Sequence, residues 1–127
     1  MPSKYFNKKT VYDGMTFDSM AEAERYKLLL LREAAHEIVG WIYIEAAPTS
    51  VAAARQQRFP LRGYHGGKVS TYVADFVYKE NATGTIVVED YKGYKTDIYK
   101  LKKKLFEQTY CIPITEITRP RKKRAVA

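Results

Sequence analysis

The stretch TGTIVVEDYKGYK, Thr83–Lys95, decides how this chain is read. Thr85 to Val88 is β-branched and apolar, the composition of a buried strand. Glu89, Asp90, Tyr91 and Lys92 follow at once, before Gly93 ends the run. Side chains alternate faces along a strand, so Ile86, Val88, Asp90 and Lys92 share one face and Val87, Glu89 and Tyr91 the other. An acid and a lysine therefore leave the strand end together. Glu89 is expected to face solvent or to support them from behind.

The segment VSTYVADFVYKE reads as the preceding strand, joined to this one through the turn NATG as an antiparallel hairpin. Asp75 lies inside it on the face of Val73 and Val77. An ionised aspartate there is costly unless a lysine or a metal ion pairs with it. Pairing the two strands brings Asp75 to the end that carries Asp90 and Lys92. Two readings follow. One is a structural ion pair between Asp75 and Lys92. The other is a cation site, because two carboxylates and a backbone carbonyl suit a hard ion such as Mg²⁺. Such an ion polarises a phosphate oxygen and lowers the pKa of a bound water, and the lysine would orient that water or stabilise charge on the phosphate.

Upstream, Asp13-Gly14 marks a hairpin over Thr10–Phe17. Ser19 and Glu22 form a capping-box pattern at the head of a helix running to about Ala35, which gives Glu22 a structural role of its own. The run Leu28–Leu31 implies burial on more than one side. EIVGWIYIE is a strand, AAPTSVAAARQQ a loop or a helical turn, and RFPLRGYHGGK a short edge strand with a loose turn. Downstream, TDIYKLKKKLFEQTY is a helix capped by Thr96 or Asp97, with Ile98, Leu101 and Leu105 at helical spacing. CIPITEIT is a last strand, with Cys111 in the core and Pro113 marking an edge. His36 and His65 have no metal-ligand spacing and belong to the surface or to turns. The order is hairpin, helix, strands, helix, strand: a mixed α+β chain of the α/β class, one sheet with helices packed on it.

A length of 127 residues suits one domain, taken as residues 1–118, followed by the basic tail 119–127. The single cysteine excludes an internal disulfide and a Cys-rich zinc site. There is no apolar run of membrane-spanning length and no apolar leader, so a cytoplasmic location is expected. G-x-S-x-G, P-loop and HExxH motifs are absent. The net charge is +8, and residues 95–127 hold ten of the 22 basic residues but only three of the 14 acidic ones. That localised field suits a polyanion; a solvated helix face with a solubilising tail has the same composition. Tyr91, Lys92, Tyr94, Lys95, Tyr99 and Lys100 interleave aromatics with cations, as in surfaces that hold phosphates and stack bases. Candidate nucleic-acid contacts are Tyr94, Lys95, Lys100, Lys103, Lys104 and the tail residues Arg121, Lys122, Lys123 and Arg124.

A glutamate on an early helix, an aspartate on a strand and (D/E)-x-K at the end of the next strand resembles the PD-(D/E)XK nuclease superfamily. FDSMAEAERY, YVADFVY and VVEDYKGYKTDIYKLKKKLF are more closely similar to a family of small phage-encoded proteins grouped with endonucleases and Holliday junction resolvases, from Lys4 to about Ile117. The resemblance implies a restriction-endonuclease-like αβββαβ core, a central mixed sheet flanked by helices, with the N-terminal hairpin added. It implies a catalytic set of Glu22, Asp75, Asp90 and Lys92. Mg²⁺, with Mn²⁺ able to replace it, would be held by Asp75, Asp90 and the Tyr91 backbone carbonyl, with Glu22 completing the site. Gln56, in RQQRFPL, resembles a polar position that precedes the central hairpin. The implied reaction is hydrolysis of DNA to 5′-phosphate and 3′-hydroxyl ends, in branched DNA if the chain is a resolvase, within the host cytoplasm if it is phage-encoded. Two matched cuts in a symmetric junction call for a homodimer, and no small-molecule cofactor or membrane is involved. The chain departs from the pattern in the longer YIEAAPTSVAAAR segment and in Ala74, where the motif's proline would stand. Flaps, single strands, duplex DNA and RNA remain open as substrates, as does a DNA-binding protein that does not cut.

Overall fold

The computed structural model describes residues 9–63, 67–92 and 94–118. The hairpin forms as expected, from β1 (Thr10–Tyr12) and β2 (Met15–Phe17), and Asp13 and Gly14 both adopt the positive φ its tight turn requires. Helix α1 (Met20–Ala34) starts at Ser19, whose side chain accepts the Glu22 N–H at 3.1 Å. Next come β3 (Ile38–Ile42), β4 (Ala47–Thr49), β5 (Arg58–Arg62), β6 (Lys68–Val73), β7 (Phe76–Glu80) and β8 (Ile86–Tyr91). Helix α2 (Asp97–Tyr110) and β9 (Ile114–Ile117) complete the described chain.

The main sheet has the order β4-β3-β7-β8-β9, antiparallel except for the parallel pair β8–β9. The architecture is mixed α+β as expected, but between the helices the main sheet takes four strands, β3, β4, β7 and β8, and the hairpin β5–β6 is set apart from it, so the expected αβββαβ core carries added strands. Strand alternation sends Phe76, Tyr78 and Val87 toward α1, where they pack with Tyr26, Leu29 and Phe17. Val77 and Val88 point the other way, toward Phe106 and Tyr99 of α2 and the separate hairpin β5–β6. Among the described residues no helix is long and apolar enough to cross a membrane.

Several sequence expectations need correction. VSTYVADFVYKE is not one strand. It breaks at Ala74–Asp75, so β6 pairs with β5 while β7 joins the main sheet. The ambiguous segment after Ala46 contains an edge strand, β4, whose Pro48 is tolerated there. It folds back so closely that a Cβ at Gly40 would collide with the backbone of Ser50 and Val51. Within Leu28–Leu31 only Leu29 is fully buried, and Leu28 and Leu31 are exposed, so α1 packs on one face. Cys111 is exposed and caps α2 in the left-handed conformation instead of entering the core. Ile98 and Leu101 point outward, because the larger rings Tyr99 and Phe106 take the inner face of α2.

Of the two expectations for Glu89, the solvent-facing one fails. Glu89 is fully buried on the α1 side of β8. Arg25 grips it with two hydrogen bonds, from Nε at 2.8 Å and Nη2 at 2.5 Å, and the Tyr78 hydroxyl donates a third. This is the bidentate geometry that makes a buried charge tolerable. Arg25→Ala leaves that carboxylate buried without its cation. We expect a loss of about 3 kcal/mol in urea denaturation, with Glu89→Gln recovering part of it in the double variant.

Candidate functional site

The site lies where β7 begins and β8 ends. Phe76 stands opposite Glu89 in the β7–β8 ladder, so one step further the same register sets Asp75 beside Asp90. The strand break frees Asp75 from the ladder. Its N–H donates to the Glu89 carbonyl at 3.1 Å, its carbonyl accepts the Gln56 N–H at 3.3 Å, and its carboxylate accepts the Tyr91 N–H at 2.7 Å. Asp90 is 1% exposed. Its Oδ2 accepts the Tyr72 hydroxyl at 2.5 Å. Its Oδ1 is 3.2 Å from Lys92 Nζ, within ion-pair range, yet it is buried and lacks an aligned hydrogen bond. Asp90 is therefore the buried carboxylate with an unsatisfied lone pair.

Lys92 leaves β8 on the Asp90 side, as strand alternation requires. Its Nζ also lies 4.4 Å from the centre of the Tyr99 ring, a contact that steadies an ammonium without neutralising it. The Tyr99 hydroxyl donates in turn to Glu116 at 3.2 Å. Glu22 approaches from the first turn of α1 and is buried. Burial and the Asp18 and Asp90 charges push its carboxyl above the usual range, opposed by Arg55 and by the Asp18 N–H. Glu22 thus joins the acids while its backbone serves the helix cap.

The electrostatics follow from this crowding. Burial, Glu22 and Asp90 push Asp75 up to about 8, against the pull of the Tyr91 N–H and Lys92. Burial also raises Asp90, opposed by the Tyr72 hydrogen bond and the Lys92 charge. The two carboxyls therefore retain a proton that separated aspartates would lose. Burial and the Asp90 charge push the Tyr72 hydroxyl far above its ordinary value, so it remains a donor.

The sequence reading missed Tyr72 and Arg55. In a continuous strand Tyr72 would face away from Asp75; only the break turns it to Asp90. Arg55 stacks 4.0 Å from the Phe17 ring centre, and its Nε and Nη2 are buried without hydrogen-bond partners among the described residues. Among the proposed nucleic-acid contacts, Tyr94, Lys100 and Lys104 are exposed. Lys95 and Lys103 are engaged with Glu116 at 3.3 and 2.7 Å. Gln56 is exposed with a positive φ and meets the site through its backbone. The side chain of its neighbour Gln57 instead ties Trp41, Tyr43 and Ala54 together. Arg121, Lys122, Lys123, Arg124 and His65 lie outside the described residues.

Because the folded protein holds the Asp75 proton up to about pH 8 while the unfolded chain releases it near 3.8, stability should fall as pH rises across that window. Asp75→Asn should flatten this slope and stabilise the protein at pH 8 by on the order of 1 kcal/mol. Urea denaturation in EDTA at pH 5 and pH 8 measures both.

Among the described residues no group of three or more His, Cys, Asp or Glu side chains is gathered as a ready-made metal cage. What the ends of β7 and β8 bring together is the Asp75–Asp90 carboxyl pair. Neither a curated protein nor a solved structure matches the chain. One family model does match, over residues 2–124, and the chain accordingly belongs to the family described as "Protein of unknown function (DUF1064)".

Proposed function

We propose that the protein is a Mg²⁺-dependent endodeoxyribonuclease, acting on branched DNA in the manner of a junction resolvase. The observation that carries this reading is the convergence of Asp75, Asp90 and Lys92 at one strand end, with Asp90 Oδ1 left without an aligned partner in a buried setting. A carboxyl pair that holds a proton where a cation would displace it is a poor structural element and a good hard-ion site. Asp75 and Asp90 would hold the ion, with the Tyr91 carbonyl as a third oxygen and water filling the remaining positions. That agrees with the preference of Mg²⁺ for one or two carboxylates over a full protein cage.

When bound, the ion polarises the phosphate and makes its water more acidic. The chain's own groups do the rest. Tyr72 fixes the Asp90 carboxylate through Oδ2, leaving Oδ1 toward the site. Lys92, backed by Tyr99 and free to move from Asp90, orients the attacking water or meets the charge that develops on the phosphate. Water adds to phosphorus, the bond to the 3′ oxygen breaks, and that oxygen leaves with a proton. Glu22 adds negative charge beside the pair and favours cation uptake.

The test is cleavage of end-labelled four-way junction, fork and linear duplex DNA of matched sequence, in Mg²⁺, Mn²⁺ and EDTA. Lys92→Ala should reduce cleavage by at least about a hundredfold while DNA binding persists. Asp90→Asn should abolish Mn²⁺ binding measured by electron paramagnetic resonance. Paired cuts in the junction alone support the resolvase reading; cutting of every substrate keeps the site and rejects the junction preference. Binding without cutting in any metal makes the protein a DNA-binding module and overturns the enzyme reading.

The charge distribution supports DNA as the polyanion, and the tail is assigned to affinity. Deleting residues 119–127 should make the plot of log binding constant against log salt shallower. An unchanged slope, measured by fluorescence anisotropy, rejects that role.

A further inference from the structure

The outward face of α2 has the pattern of half of a self-complementary helix pair. Ile98 and Leu101 are 70% and 60% exposed, and Leu105 is partly so. Asp97 and Lys104 share this face, and neither pairs with another charge among the described residues, unlike Lys95 and Lys103 nearby. At about 3.6 residues per turn, with Leu101 pointing directly outward, Ile98 and Leu105 fall on one flank. Asp97 and Lys104 fall on the other, roughly one turn before and after Leu101.

Consider a second α2 turned end for end about a two-fold axis at Leu101. Like flank then meets like flank in reversed order. Leu101 meets Leu101, Ile98 meets Leu105, and Asp97 meets Lys104, with the last two contacts made twice. A parallel pair would instead set Asp97 level with Asp97 and Lys104 level with Lys104. We propose that α2 is the dimer surface of this protein, joining two copies antiparallel across Leu101. The interface closes on itself, as a two-fold contact must. A second exposed apolar pair, Leu28 and Leu31 on α1, lacks such complementarity, because its neighbours Lys27 and Arg32 are already paired with Glu24, Glu37 and Glu80 inside the chain.

The proposal supplies the second protomer that paired incision needs and in that respect builds on the reading above. It also reassigns Lys104 from DNA to the partner's Asp97, while Tyr99, on the opposite face of the helix, still supports Lys92. Its test needs neither DNA nor metal, so a failure here is distinct from a failure of the nuclease assay.

Sedimentation equilibrium of the full chain across micromolar concentrations is the experiment. The wild type should be dimeric and Leu101→Glu monomeric, with circular dichroism unchanged. Asp97→Lys should weaken the dimer about tenfold or more by setting lysine against lysine. The double variant Asp97→Lys, Lys104→Asp restores opposite charges and should recover most of that loss. The reversal pair decides the matter even if Leu101→Glu folds poorly. A wild type that stays monomeric, a dimer indifferent to these changes, or a double variant no tighter than Asp97→Lys overturns the proposal. Monomers in which Leu101→Glu weakens DNA binding would give this face to DNA instead.

Discussion

Two adjacent carboxylates, Glu89 and Asp90, are buried on opposite faces of one central strand, and each side of the molecule is arranged around one of them. Burying a charge is tolerable only where partners replace its lost water. On the α1 face that replacement is complete: Arg25 and Tyr78 deliver three hydrogen bonds to Glu89. Helix α1 is thereby tied to the middle of the sheet by an interaction 64 residues distant in sequence. On the α2 face the replacement is incomplete. Tyr72 satisfies one oxygen of Asp90, while the other has only the off-axis ammonium of Lys92.

This asymmetry separates a fully bonded acid from one with an open oxygen. A fully bonded carboxylate has no capacity left for a ligand. A half-bonded one, beside the Asp75 carboxyl, keeps an oxygen that the proposed reading gives to a cation. The molecule tolerates that arrangement because the local cost falls on a fold well supported elsewhere. The aromatic cluster of Phe59, Tyr72, Phe106 and Tyr110 packs directly behind the site. It fixes Tyr72 and, through it, the orientation of Asp90.

Helix α2 links the site to the surface. Its inner face carries Tyr99, on which Lys92 rests and which Glu116 holds in turn. Glu116 also gathers Lys95 and Lys103, so part of the basic character of this region is balanced within the chain. The cations that remain outward are fewer than the composition suggests. That narrows which of them are available to a polyanion and leaves the apolar stripe of the outer face to be accounted for.

Short-range chemistry was legible in the sequence: the Asp-Gly hairpin, the Ser19 cap of α1, the β7–β8 turn, and the order of hairpin, helix, strands, helix and strand. The projection of Asp90 and Lys92 to one side was equally legible, since alternation is a local property of a strand. What only the tertiary structure decided depended on which partners arrive from far along the chain. No local pattern announces that Ala74–Asp75 interrupts a strand, because the break exists to let β6 pair with β5 while β7 enters the main sheet. Tyr72 was thus hidden by a face assignment that holds only for an unbroken strand. Whether Glu89 faced solvent or supported the site from behind stayed open in the sequence, because Arg25, its counter-charge, lies on a helix far upstream. Ile98 and Leu101 had core spacing, but a helix can bury only one face, and the larger area of Tyr99 and Phe106 won the competition for it. Periodicity reports which residues share a face; the energy of packing against the rest of the chain decides which face turns inward.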